Sequence, residues 1–342
     1  MPANFWGVVS QATPTNEQFQ RLKAGGVDSI RIPISWSVVQ PTEGGSLNWS
    51  VSDALVKGAA QAGIEVLPYV YGAPSWAVAV DGRFGSPVTL PVKNARQRSA
   101  WTNFLIQAVL RYGPGGTFWA ENPSVPVRPM RTWQIWNEEN FEYFVARPKP
   151  ADYGKLVNLS YSAIKAVDPG SRLLLGGMFA RPKEAEYKRK PREAYFATEF
   201  LDQMYRTTPG VKSKFVGVAL HPYTRTYRYL APEIEEVRNV LKANHDAAKS
   251  LWITELGWSS QPPTHTNLFA KGIQGQAAEL KGAFGVLSKN QRKWRLQQVY
   301  WFSVDDQIGT CNFCDGSGLF APGFIPKPAW YAYARFAGGR PG

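Results

Sequence analysis

Two stretches decide the reading of this chain: WQIWNEEN at Trp133 to Asn140 and LWITELGWSS at Leu251 to Ser260. Each is an apolar, strand-like run that ends on a glutamate, Glu138 in the first and Glu255 in the second. A carboxylate held where a buried strand emerges into a loop sits rigidly at a rim. Two of them facing one another across a pocket form the arrangement that glycosidic-bond cleavage requires.

Short β-branched or aromatic runs recur along the chain at Phe5 to Ser10, Ser29 to Trp36, Glu65 to Tyr71, Arg131 to Asn137, Arg172 to Met178, Phe215 to His221, Leu251 to Glu255 and Gln298 to Val304. Helical periodicity fills the intervals, at Asn16 to Ala24, Ser52 to Ala62, Arg96 to Tyr112, Tyr153 to Val167, Ala197 to Tyr205, Pro232 to Ala243 and Ile273 to Leu287, and Pro328 to Phe336 closes the chain. Eight strands alternating with eight helices predict an α/β fold, a (β/α)8 TIM barrel occupying residues 1–342 as one catalytic domain. The strand runs are continuously apolar, as expected where barrel interior and outer helices cover both faces. Gly25, Gly26, Gly63 and Gly170 precede strands and predict left-handed helix caps. The long connections follow strands, at Tyr71 to Asn94, Phe179 to Ala197, Tyr223 to Ala231 and Asp305 to Lys327, which places them on one face of the barrel. A doubly wound open sheet is the fold alternative, but no Gly-rich phosphate loop follows the first strand.

Composition narrows the function. With 44% hydrophobic and 19% charged residues the chain is an ordinary core-forming protein, and no apolar run approaches the length of a membrane span. Thirteen Trp and fifteen Tyr supply flat apolar faces with polar edges, which suit sugar rings. The net charge of +13 invites a polyanion, yet no nucleic-acid-binding module accompanies it. The densest basic stretch is RPKEAEYKRKPR, with Arg181, Lys183, Lys188, Arg189, Lys190 and Arg192 offset by Glu184 and Glu186; Arg225 and Arg228 follow later. It reads first as a solvated loop. Cys311 and Cys314, in CNFC, lack the further soft ligands of a zinc site, which leaves a local disulfide or a pair of free thiols. The opening MPANFWGVVS has none of the regions of a signal peptide, and a secreted domain with its leader absent from this chain is the favoured localisation.

The motifs fall in an order that carries a resemblance. Arg31 in SIRIPISW on the second strand, Asn137 and Glu138 ending the fourth, HPY at His221 to Tyr223 ending the sixth, Glu255 ending the seventh and Trp301 on the eighth resemble the clan A retaining glycoside hydrolases. Within the clan the chain is most similar to family 39, with family 5 next. The resemblance runs from FWGVVSQ to the closing GLFAPGFIPKPAWYAYARF. It implies a double-displacement hydrolase of oligo- or polysaccharides, β-linked by preference, that needs no metal or organic cofactor. Glu138 would be the general acid and base and Glu255 the nucleophile. Asn137 would bind the hydroxyl beside the reacting carbon, Arg31 and Tyr223 would keep Glu255 ionised, and His221 would support this shell or bind a substrate hydroxyl.

Among the tryptophans, Trp301 is the expected platform under the sugar at the cleavage point, while Trp36, Trp76 and Trp258 are candidates for stacking elsewhere on the same face. Trp133 and Trp252 are assigned to the core or barrel wall. Glu139 is the rival for the acid role if the strand register differs by one, and Glu142 is placed outside the reaction centre. The basic stretch leaves the fifth strand on the catalytic face, which suggests an acidic or phosphorylated glycan, and a Cys311–Cys314 bond would stiffen the rim beside Trp301. A non-catalytic carbohydrate-binding barrel and a transglycosylase using the same residues are the alternative functions.

Overall fold

The computed structural model describes residues 1–80, 88–180, 195–311 and 313–342. Eight parallel strands close into a barrel in sequence order, β1 (Trp6–Val9), β2 (Ser29–Ser35), β3 (Glu65–Tyr71), β4 (Thr132–Ile135), β5 (Arg172–Phe179), β6 (Gly217–His221), β7 (Ser250–Leu256) and β8 (Leu296–Phe302), with β8 pairing back to β1. Helices follow the strands around the outside, so the predicted (β/α)8 architecture is the observed one. The basic stretch Arg181 to Arg192 lies outside the described residues. No helix among the described residues is long and apolar enough to cross a membrane.

Strand alternation sorts the side chains into two layers. On β8, Tyr300 and Phe302 join Val9, Leu67, Leu174 and Ala219 in a small inner cluster, whereas Val299 and Trp301 belong to the larger layer between barrel and helices. Trp133 lies in that outer layer and Trp252 in the inner cluster, both buried as expected. The helix Asn16–Ala24 opens with a capping box between Thr15 and Gln18, and the helix Ser50–Ala62 stops at left-handed Gly63. Gly26 is also left-handed. Gly25 and Gly170 depart from the expectation: Gly25 caps its helix at φ −76°, and the helix Pro150–Val167 ends at Asp168 in extended backbone. There the Asp168 carboxylate accepts from the Gly170 N–H and the Ser171 hydroxyl, a side-chain turn that replaces the glycine cap.

Local irregularities at the C-terminal ends of the strands position the site. β4 stops at Ile135, earlier than the sequence suggests, because Trp136 (φ 72°) and Glu138 (φ 42°) adopt left-handed backbone. These turns break the two-residue alternation, sending Trp136 outward against Trp101 and letting the neighbours Asn137 and Glu138 both reach the barrel mouth. Such conformations cost about 1–3 kcal/mol each and concentrate at functional sites. On β7 a register shift against β8 between Ile253 and Leu256 does the same for Thr254 and Glu255.

Candidate active site

Arg31, rising from β2 with no exposed surface, is the hub of the barrel mouth. Its Nη1 donates to Glu255 Oε1 at 2.7 Å, its Nη2 to Asn137 Oδ1 at 2.6 Å and its Nε to Gln134 Oε1 at 2.7 Å, while the guanidinium lies 3.8 Å from the Tyr69 ring centroid. The arginine fork therefore fixes Asn137 with its oxygen inward and its NH2 group left to donate. The second Glu255 oxygen accepts from the Tyr223 hydroxyl at 2.7 Å.

Glu138 lies opposite. Its Oε1 is 2.9 Å from His221 Nδ1, and His221 Nε2 is 3.0 Å from Thr254 Oγ1. The imidazole lies flat over β5, where Gly177 has no side chain; a Cβ at that position would come within 1.9 Å of His221 Nε2. One oxygen of Glu138, one of Glu255 and a ring nitrogen of His221 all fall within 4.8 Å of one another. That trio also has the spacing of a three-ligand cation site, but a cation there would have to share Glu255 with a buried guanidinium already bonded to it.

The two carboxyls have unequal surroundings. Burial pushes Glu138 well above the usual carboxylate range, and the nearby charge of Glu255 pushes it further; Arg31 opposes this from a distance. Burial also raises Glu255, but Arg31 and Tyr223 bond directly to its ionised form and pull it back. Between the two, Glu138 holds the proton and Glu255 the charge. Burial, and after it the charge of Arg31, holds His221 well below its ordinary value, so its ring is neutral.

Glu139 points the other way. It is fully buried against Gly176, behind the sheet, and burial raises it to about 8. It is thus removed from competition for the acid role. Glu142 is buried farther along the same loop.

The tryptophan assignments need correction. Trp301 is fully buried on the outer side of β8, its Nε1 donating to Ser317 O and its ring against Trp258 and Phe284. Phe302, the next residue, is the one that turns inward. Trp36 begins a short helix after β2 and is locked between Phe104 and Trp101, with its Nε1 on Gln40 Oε1. Trp258 is equally buried, donating to Thr224 O. Trp76 is half-buried, edge-on to Trp36 and bonded to Gln40 O. Three of the four thus present no face to a ligand.

The aromatic wall is made of phenylalanine and tyrosine instead. Phe313 stacks on Phe302 at 5.7 Å and meets Tyr223 edge-on at 5.1 Å, beside Phe269. Cys311 and Cys314 are disulfide-bonded on either side of Phe313, so the bond stiffens the rim beside Phe302 rather than Trp301. On the far side, Tyr143 is 55% exposed and nearly parallel to Phe141 in the loop that carries Glu138. Sequence reading also passed over Lys327, whose buried ammonium bonds Asp306 Oδ1, Ser260 Oγ and Gly316 O and ties together the loops after β7 and β8.

No protein-family model matches the chain. Among curated proteins it is similar to a β-xylosidase of Geobacillus stearothermophilus, 26% identical over 229 residues, which span 61% of this chain and 42% of that one. Among solved structures it is similar to a family 39 glycoside hydrolase from Bacteroides cellulosilyticus, with TM-score 0.72 and 21% identity over 98% of this chain and 64% of the other. A β-xylosidase from Caulobacter crescentus superimposes with TM-score 0.66 at 18% identity, covering 97% of this chain and 68% of its own. The chain therefore spans less than half the length of the curated relative. The structural likenesses establish the (β/α)8 fold, and they fall where the sequence resemblance to family 39 pointed.

Proposed function

We propose that this barrel hydrolyses β-linked glycosides with retention of configuration, Glu255 acting as nucleophile and Glu138 as general acid and base. The observation that carries the reading is the pair of buried carboxyls with oxygens within 4.8 Å and opposite surroundings. Direct attack uses carboxyls about 5 to 5.5 Å apart, whereas attack through water needs about 6.5 to 9.5 Å.

In the first step a Glu255 oxygen bonds to the anomeric carbon as the bond to the leaving oxygen breaks, and Glu138 gives that oxygen its proton. Arg31 and Tyr223 hold the attacking carboxylate in place, and the free NH2 of Asn137 is aimed to donate to the neighbouring sugar hydroxyl. Once Glu255 is esterified its charge is gone, so Glu138 loses its main electrostatic reason to stay protonated. It then accepts a proton from water as the water oxygen attacks the same carbon and releases Glu255.

The names of the similar proteins make β-xylosides the first substrates to try. Phe302 and Phe313 supply apolar surface beside Tyr223 and hence Glu255, and Tyr143 is an exposed ring in the loop that carries Glu138. A substrate with acidic substituents is part of the proposal on the basic sequence from Arg181 to Arg192 alone; unchanged turnover of such a glycan after neutralising its six cations would remove that part. Secretion is also proposed, supported by the Cys311–Cys314 bond, since disulfides persist in oxidising compartments.

A panel of aryl glycosides, with the anomer of the first product read by NMR, tests the reaction. Retention in the wild type and loss of turnover in Glu255→Gln are expected. Inversion would overturn the mechanism, and glycan binding without turnover would favour a non-catalytic carbohydrate-binding barrel.

A further inference from the structure

The hydrogen bonds between Arg31 and Glu138 have a direction that can be read link by link. An arginine Nε only donates, so the Gln134 atom 2.7 Å from it is the acceptor oxygen. That leaves the Gln134 amide nitrogen facing Thr254 Oγ1 at 3.2 Å, and an amide nitrogen also only donates. Thr254 Oγ1 accepts there, and His221 Nε2 at 3.0 Å is its one remaining partner, so the fully buried hydroxyl donates to it rather than leave its own proton without an acceptor. A neutral imidazole carries a single ring proton, and with Nε2 accepting, that proton sits on Nδ1, 2.9 Å from Glu138 Oε1. Arg31, Gln134, Thr254 and His221 all have no exposed surface.

We propose that Gln134 and Thr254 are positioning residues that set the tautomer of His221 and, through it, which oxygen of Glu138 carries the acid proton. With Nδ1–H donating to Oε1, the proton of Glu138 resides on Oε2, free to meet the leaving oxygen. The opposite tautomer would present a bare Nδ1 to Oε1 and draw the acid proton into the wall. After proton transfer the same Nδ1–H supports the Glu138 carboxylate as base. The chain also begins at the guanidinium that holds Glu255, so one buried arginine orients both carboxyls.

This inference rests on the roles proposed for Glu138 and Glu255, and its first readout needs no turnover. In protein carrying 15N-labelled histidine, three residues report, and the His221 signal is assigned by its loss in His221→Gln. Wild type and Thr254→Ser are expected to show the proton on Nδ1, and Thr254→Val to move it toward Nε2. In kinetics, Thr254→Val should lose about tenfold in kcat/KM on aryl glycosides with poor leaving groups and change little on good ones, with Thr254→Ser restoring the wild-type dependence. A wild-type proton on Nε2 overturns the proposal, as does Thr254→Val with unchanged tautomer and leaving-group dependence. Full turnover by Glu255→Gln would instead bring down the catalytic roles while leaving the tautomer result standing.

Discussion

Arg31 and Glu255, 224 residues apart in sequence, are joined by a 2.7 Å charge-assisted hydrogen bond at a depth where the arginine has no exposed surface. Because the same guanidinium holds Asn137 and Gln134, removing it strands three polar partners at once. Arg31→Met is expected to cost about 3–5 kcal/mol of stability in urea unfolding and at least about a hundredfold in kcat/KM. Arg31→Lys restores a charge but not the fork, and should fall between the two.

Tyr223 supplies the other bond to Glu255, and that bond favours the ionised form. Removing it in Tyr223→Phe therefore raises the pKa of Glu255. The acid limb of the kcat/KM profile should move to higher pH, with a loss of about tenfold at the optimum. An acid limb that stays in place would separate Tyr223 from the ionisation of Glu255.

Glu139 predicts a pH dependence of stability. The Tyr153 hydroxyl beside it is engaged with Ile135 O and the Gly176 N–H, so its pull on the Glu139 carboxylate, like that of the residue's own backbone N–H, only partly offsets burial. The folded protein raises this group to about 8, against 4.5 in an ordinary carboxyl. Its contribution is then fully present below the unfolded value and declines by about 1.4 kcal/mol per pH unit as pH rises from about 4.5 toward about 8. Glu139→Gln should leave stability at pH 4 nearly unchanged and raise it by several kcal/mol at pH 8, as read by urea unfolding at the two pH values.

Phe313 is held over Tyr223 and Phe302 inside a loop closed by Cys311 and Cys314. Closing so short a loop is worth about 2 kcal/mol at most. Paired Cys311→Ser and Cys314→Ser changes are thus expected to lower stability modestly but raise KM severalfold for small aryl glycosides. Phe313→Ala in the disulfide-bonded protein should reproduce the KM effect, with a stability loss of its own of about 1–3 kcal/mol from the aromatic contacts it gives up.

Much of this was legible before the structure. The eight strands showed as buried apolar runs, and Arg31, Asn137, Glu138, His221, Tyr223 and Glu255 all converge at one end of the barrel. Alternation set the limit. On β8 a single residue separates outward Trp301 from inward Phe302, and sequence cannot tell which face a strand presents when both are apolar. Left-handed Trp136 and Glu138 were hidden for a different reason: backbone that only the surrounding fold enforces leaves no propensity signal. Lys327 and Gln134 likewise look like ordinary polar residues until the chain buries them beside distant partners.

Covalent trapping tests whether Glu255 is the residue that attacks the sugar. A 2-deoxy-2-fluoro glycoside with a good leaving group, matched to the aryl glycoside cleaved best in the panel, should inactivate the proposed hydrolase with time, and peptide mass mapping should place one fluoroglycosyl group on Glu255. A label on Glu138 or Glu139, or hydrolysis that proceeds with no trapped ester, would contradict the account.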